Sequence, residues 1–128
     1  MRSIATALYF IVAVINFLPA LGVLSVERME AFYGVAIREP NLEILMRHRA
    51  VLFSIVGVLL AAAMFRPSLR PLAAAAGFVN MLAFILVAWM IGGYNPPIRR
   101  VVLVDAVASV LLAVAVIIDR TSGGPVDG

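Results

Sequence analysis

The chain has no cysteine, no lysine and a single histidine, His48, in 128 residues. Without cysteine there is neither a disulfide framework nor a thiolate metal site. One histidine is too few for a multi-histidine zinc or haem site within one chain, so no metal or other cofactor is expected. Charged residues make up 13% of the sequence, about half the share found in an average soluble domain. That shortage excludes a soluble enzyme domain, a disordered tail and a nucleic-acid-binding domain. The sequence also has no glycine-rich phosphate loop and no Gly-x-Ser-x-Gly elbow; Gly92-Gly93 reads as a turn.

What is present is apolar surface. Hydrophobic residues account for 64% of the chain and the mean hydropathy is +1.10. The net charge of +3 rests on ten arginines, which stand singly or in pairs at the edges of apolar runs. Arginine anchors a membrane span in this way, its stem along the lipid and its head among the headgroups.

About 20 apolar residues are needed to cross the hydrocarbon core as a helix. Four stretches meet or approach this, at about 4–24, 44–65, 72–91 and 101–118. The expected fold is all-α: a polytopic four-helix up-down bundle over 1–120, followed by a flexible tail at 121–128. Ala20 and Gly22 have a cleavage-like spacing, but the first apolar run is long for a signal peptide, and an uncleaved anchor with a kink at Pro19 is expected. In the long connection, Val26, Met29, Phe32 and Tyr33 recur at helical spacing with Glu27, Arg28 and Glu30 between them. This predicts a short amphipathic helix lying in the interface and stopped by Gly34. Pro40 and Asn41 then start the second span.

Polar residues inside a span are costly and face the bundle or a cavity. On an ideal wheel, Arg47 shares a stripe with Ala50, Ser54, Gly57 and Ala61, all small, and is expected to look inward. Arg49 lies about 200° around from it at 100° per residue, and is expected to reach out to headgroups. Asp105, Ser109 and Ala113 share a face of the fourth span. Tyr9, Ala13, Asn16 and Ala20 form a stripe in the first, and Ala73, Gly77, Asn80 and Phe84 in the third. Together these predict a polar pocket of Arg47, His48, Asp105, Asn16 and Asn80, with Tyr94 at its rim and an Arg47–Asp105 ion pair at its mouth. Each has a plainer role: Arg47, His48 and Arg49 as boundary markers, Asn16 and Asn80 as interhelical hydrogen bonds, Trp89 and Tyr94 as belt aromatics.

Several strings carry a resemblance. Val-Ile-Asn-Phe-Leu-Pro (14–19), Tyr-Gly-Val (33–35), Leu-Met-Arg-His-Arg-Ala-Val-Leu-Phe (45–53), Gly-Gly-Tyr-Asn (92–95) and Arg-Arg-Val-Val-Leu-Val-Asp (99–105) resemble a family of small four-span bacterial membrane proteins. Its members often carry the label phosphopantetheine adenylyltransferase. The resemblance implies the four-span fold and a bacterial inner membrane, and it draws attention to Arg47, His48, Arg49 and Asp105. The enzyme of that label is a soluble α/β nucleotidyltransferase with a His-x-Gly-His-type motif, which this sequence does not contain, so no catalytic roles carry over. In size and layout the chain is also similar to DoxX-like four-span proteins.

The function expected from these residues is binding of a small anionic or amphiphilic molecule between the helices. A membrane enzyme using His48 or Asp105 for proton transfer on a lipophilic substrate is the second expectation, and a small dual-topology transporter the third. The partners expected are the lipid bilayer and a lipophilic or anionic small molecule, with no nucleic acid. The sequence leaves a homo-oligomer open. Arginines flank both ends of the spans in similar numbers, and the crowding of Arg66 and Arg70 in one short turn favours cytoplasmic termini.

Overall fold

The computed structural model describes residues 2–18, 26–37 and 39–122. Five helices form within them: α1 (Arg2–Phe17), α2 (Val26–Tyr33), α3 (Pro40–Phe65), α4 (Arg70–Ile91) and α5 (Pro96–Ser122). No strand occurs among the described residues.

Local chemistry sets the helix ends. Glu39 caps α3, its carboxylate accepting from the backbone N–H of Asn41 and Leu42, and Pro40 takes the first helical position, where its missing N–H costs nothing. A 3₁₀ turn at Pro67–Leu69 passes the chain to α4. Asn95 starts α5: its side-chain oxygen accepts from the Ile98 N–H at 2.9 Å, and its carbonyl accepts from Arg99. Helix α5 includes Thr121 and Ser122, which were expected to open the tail; residues 123–128 lie outside the described set. The expected kink at Pro19 and the cleavage-like Ala20 and Gly22 also lie outside it.

Three helical runs, Pro40–Phe65, Pro67–Ile91 and Pro96–Thr121, are long and apolar enough to cross a membrane. The described part of α1 has 16 residues, about 24 Å at 1.5 Å per residue, less than the roughly 30 Å core. Large apolar side chains cover the outside, among them Phe65, Val79, Trp89, Met90 and Ile91. An apolar exterior this continuous is what a lipid-facing helical bundle presents. The chain is a multi-pass membrane protein by these features.

Helix α1 packs on α3 and α5, and α4 packs on the same two, so α1 and α4 face each other across the centre. The core between them is built from small residues and a few large ones: Tyr9, Val12 and Ala13; Leu60 and Ala63; Ala73, Ala74 and Met81; Ala108, Leu112 and Ala115. Small residues bring backbones close where the hydrophobic effect does not drive helices together.

The amphipathic helix forms as expected and ends at Gly34, whose N–H donates to the Glu30 carbonyl at 2.8 Å. Its φ of +65° is a left-handed value, and a Cβ there would meet Pro97 Cγ at 2.8 Å. Only glycine satisfies both the turn and this close approach. Met29 and Tyr33 are buried, so one face of α2 docks on the start of α5 while Phe32 faces outward.

Candidate functional site

The polar side chains within the bundle fall into three groups along its length. The first, near α2, centres on Arg49. Its guanidinium carbon lies 5.1 Å from the Tyr33 ring centre, 4.4 Å from that of Phe53 and 4.8 Å from that of Phe84. Three aromatic rings around one cation replace part of its lost hydration by attraction to their negative faces. Nη1 donates to the Tyr33 hydroxyl. Nη2 is buried and has no hydrogen-bond partner. Burial pushes the Tyr33 hydroxyl above the ordinary tyrosine value, with the Arg49 charge opposing the rise, so that hydroxyl keeps its proton at neutral pH.

Asp105, on α5, is 4% exposed. Its Oδ2 is buried without a hydrogen-bond partner. Ser109, one turn along, donates to the Asp105 backbone carbonyl at 2.8 Å and not to the carboxylate.

Beside Arg49 a half-open cavity of about 180 Å³ is lined by Tyr33, Val35, Ile37, Leu42, Met46, Arg49, Phe84 and Ile98. Its walls are almost entirely apolar, Arg49 and Tyr33 included. Three side-chain hydrogen bonds brace wall residues: Glu30 accepts from the Ile37 N–H at 3.0 Å, and Asn95 donates to the Tyr33 and Gly34 carbonyls at 3.0 and 2.9 Å.

The second group lies at the centre. Asn80 donates to the Asn16 side-chain oxygen at 2.8 Å. Asn16 donates in turn to the Val12 carbonyl at 2.9 Å and approaches the Met81 sulfur at 3.8 Å. The Asn16–Asn80 and Asn16–Met81 contacts tie together the two helices that face each other across the core.

The third group lies at the far end. Arg70 is 7% exposed. Its Nε donates to the Ala63 carbonyl at 3.1 Å, Nη1 to Asp119 at 2.7 Å and Nη2 to the Thr6 hydroxyl at 2.9 Å. The guanidinium carbon lies 5.0 Å from the Tyr9 ring centre. One side chain from α4 therefore bonds to α1, α3 and α5.

The expected residues separate. Arg47 does not look into the bundle: it pairs with Glu43 at 3.5 Å on the helix surface, its side chain 41% exposed. The expected Arg47–Asp105 ion pair does not form, and it is Arg49 that points inward, onto Tyr33, Phe53 and Phe84, and not to headgroups. The buried residues of α3 are Ala50, Phe53, Gly57, Leu60 and Ala63. The inward stripe is thus turned toward Phe53 and Leu60, which carries Arg49 in and Arg47 out. His48 is exposed, and Tyr94 stands at the surface, 37% exposed. Asn16, Asn80 and Asp105 do face inward, with the two asparagines bonded to each other.

The sequence carried one local signal for Arg49: Phe53 lies four residues on, the spacing at which helical side chains meet. Tyr33, Phe84 and the free Nη2 follow from tertiary packing alone. Arg70 and Asp119 were legible only as boundary charges. Comparison with known protein families, with curated proteins and with solved structures finds no match to this chain.

Proposed function

We propose that this chain is a membrane-embedded binding protein that takes a small amphiphilic molecule into the cavity beside Arg49. The observation that carries this is an apolar, half-open cavity lined in part by Arg49, whose Nη2 is buried without a hydrogen-bond partner. A buried donor left unsatisfied costs about 1–3 kcal/mol, more for a charged group, and a molecule entering the cavity packs against the side chain that carries it. An apolar pocket with a few convergent polar groups between helices is the usual form of a ligand site in a bundle.

Binding fits the geometry better than acid–base catalysis. Asp105 is not among the cavity's lining residues and His48 is exposed, so neither stands where a bound molecule would meet it. The proposal includes four spans in up-down order in a bacterial inner membrane, with α1 completing the ring between α3 and α5 and the termini in the cytoplasm.

Photolabelling tests the function. Purified protein in lipid nanodiscs is exposed to two diazirine-bearing medium-chain probes, a methyl ketone and a fatty acid. Saturable labelling of Val35, Ile37, Leu42, Met46 or Ile98 by at least one probe, reduced about tenfold or more in Arg49→Gln, is the expected result. Labelling spread over the lipid-facing residues, equal in both proteins and not saturable, would overturn it.

A further inference from the structure

We infer that the occupant of the Arg49 cavity enters tail first: the cavity takes an alkyl segment of about six carbons from a short single-chain amphiphile, and the head group stays outside. This rests on the binding function proposed above. The lining carries the assignment. Val35, Ile37, Leu42, Met46, Phe84 and Ile98 present carbon and one thioether, and Tyr33 and Arg49 also meet the cavity with almost wholly apolar surface. Arg49 Nη1 is engaged with the Tyr33 hydroxyl and Nη2 is buried, so the polar atoms of both side chains are withdrawn from this space.

A lining of this kind rejects polar groups. A water molecule needs about two to four polar partners, and an apolar cavity stays dry. A hydroxyl, amide or carboxylate placed there would give up its hydration with nothing to replace it. An alkyl chain loses no hydrogen bond. Lipid tails are as apolar as the lining, so entry is favoured by the contacts that the lining atoms otherwise lack across an empty space. Recognition is then by bulk and not by head group.

Size and depth narrow the class. The cavity's 180 Å³ is close to the roughly 150 Å³ apolar cavity that accepts benzene, which sets the segment at about six carbons. Leu42 and Ile98 stand two residues after the first residues of α3 and α5, Arg49 nine residues into α3, and Phe84 seven before the end of α4. At 1.5 Å per residue the lining runs from about 3 Å to about 13 Å below the helix ends. Val35, the exposed residue among them, lies in the connection before α3 and puts the opening at the rim. The 26 residues of α3 span about 39 Å, more than the roughly 30 Å core. The deepest lining therefore stops short of the midplane, where the chain ends of bilayer phospholipids meet. The cavity sits at the depth of the first carbons below a head group.

The test uses the protein in lipid nanodiscs and medium-chain fatty-acid photoprobes with the diazirine either at the chain end or beside the carboxylate. The chain-end probe is expected to label Met46, Arg49 or Phe84, and the head-side probe Val35, Leu42 or Ile98. Competitors are then compared at equal concentration in the bilayer. Octane, octanol, octanoate and the methyl ketone of that length should compete within about threefold of one another. The same four molecules ending in a tert-butyl group should compete at least about tenfold less well, because the wider end overfills the cavity. A phosphatidylcholine with the diazirine at its chain end should not label the cavity.

One head group competing about tenfold better than octane would overturn entry by the tail and leave the binding function standing. So would the reverse labelling pattern, or tert-butyl ends that compete equally. Saturable labelling of the cavity by the phosphatidylcholine would overturn the single-chain source. Saturable labelling by no probe would overturn the binding function and this inference with it.

Discussion

The two ends of the bundle use the same three residue types to opposite effect. At one end Arg70 pairs with Asp119 and stacks on Tyr9; at the other Arg49 stacks on Tyr33 with a buried Asp105 in the same end of the bundle but no ion pair to it. Arg70 has all its guanidinium nitrogens engaged, and its three acceptors come from three other helices. Arg49 has one terminal nitrogen engaged and one free, next to a cavity. Burial, an aromatic neighbour and a nearby carboxylate therefore do not separate a fastening from a binding site. The discriminating feature is the guanidinium nitrogen left unbonded, since each end also holds a buried carboxylate oxygen without a partner, Asp119 Oδ2 at one and Asp105 Oδ2 at the other.

The contrast is sharpest on removing Arg70. Arg70→Met should leave Asp119 without its cation and Thr6 and Ala63 without their donor. Breaking a buried ion pair costs about 3–5 kcal/mol, so unfolding in detergent by denaturant should show a loss of this size. A loss below about 1 kcal/mol would mean that the two ends are alike after all. Arg49→Gln, which removes a cation with an unmet hydrogen bond, should lose far less stability and much more probe binding.

Gly34→Ala comes next. The left-handed φ disfavours any other L-residue by about 1–2 kcal/mol, and the new methyl would strike Pro97. Helix α2 should then lift from α5, and saturable labelling of the cavity should weaken while Arg70 stays protected. Equal loosening of both ends, followed by hydrogen exchange, would show that α2 supports the whole bundle and not the cavity alone.

Asn80→Val should cost about 1 kcal/mol, the usual worth of an interhelical hydrogen bond in a membrane protein. It should do so without changing probe affinity, since the Asn16–Asn80 bond belongs to neither end. A change in affinity would join the centre to the cavity. The smallest effect is expected at Arg47. Its partly exposed pair with Glu43 is worth at most about 0.5 kcal/mol, so Arg47→Gln should match the parent chain in both stability and labelling. A tenfold loss of labelling in that variant would restore Arg47 to the site.

How much was legible in the sequence depended on the range of the force involved. Three of the long apolar runs, Pro40 at the start of α3, and Gly34 at the end of α2 are set by residues a few positions apart, and stand where expected. The inward faces of Asn16, Asn80 and Asp105 also followed from the cost of polar groups in lipid. The exchange of Arg47 and Arg49 did not. An ideal wheel weighted toward small residues puts Ala50, Ser54 and Gly57 at the centre of the buried stripe. In the fold, Phe53 and Leu60 share that centre, because large side chains fill the space that small ones leave. A rotation of that size reverses two arginines two positions apart. Arg70 was legible as a charge beside a short turn. Its bonds to Thr6, Ala63 and Asp119 needed three other helices in place.

Asn95 has a consequence for motion. A single amide side chain accepts from the first turn of α5 and donates to the last residues of α2. The two segments it joins both contribute walls to the Arg49 cavity, Ile98 from one and Tyr33 from the other. Fraying of α5 at its start and release of α2 therefore form one cooperative event. The Ile98 and Gly34 amides should exchange with solvent at a common rate, and the entrance to the cavity should widen at that same rate.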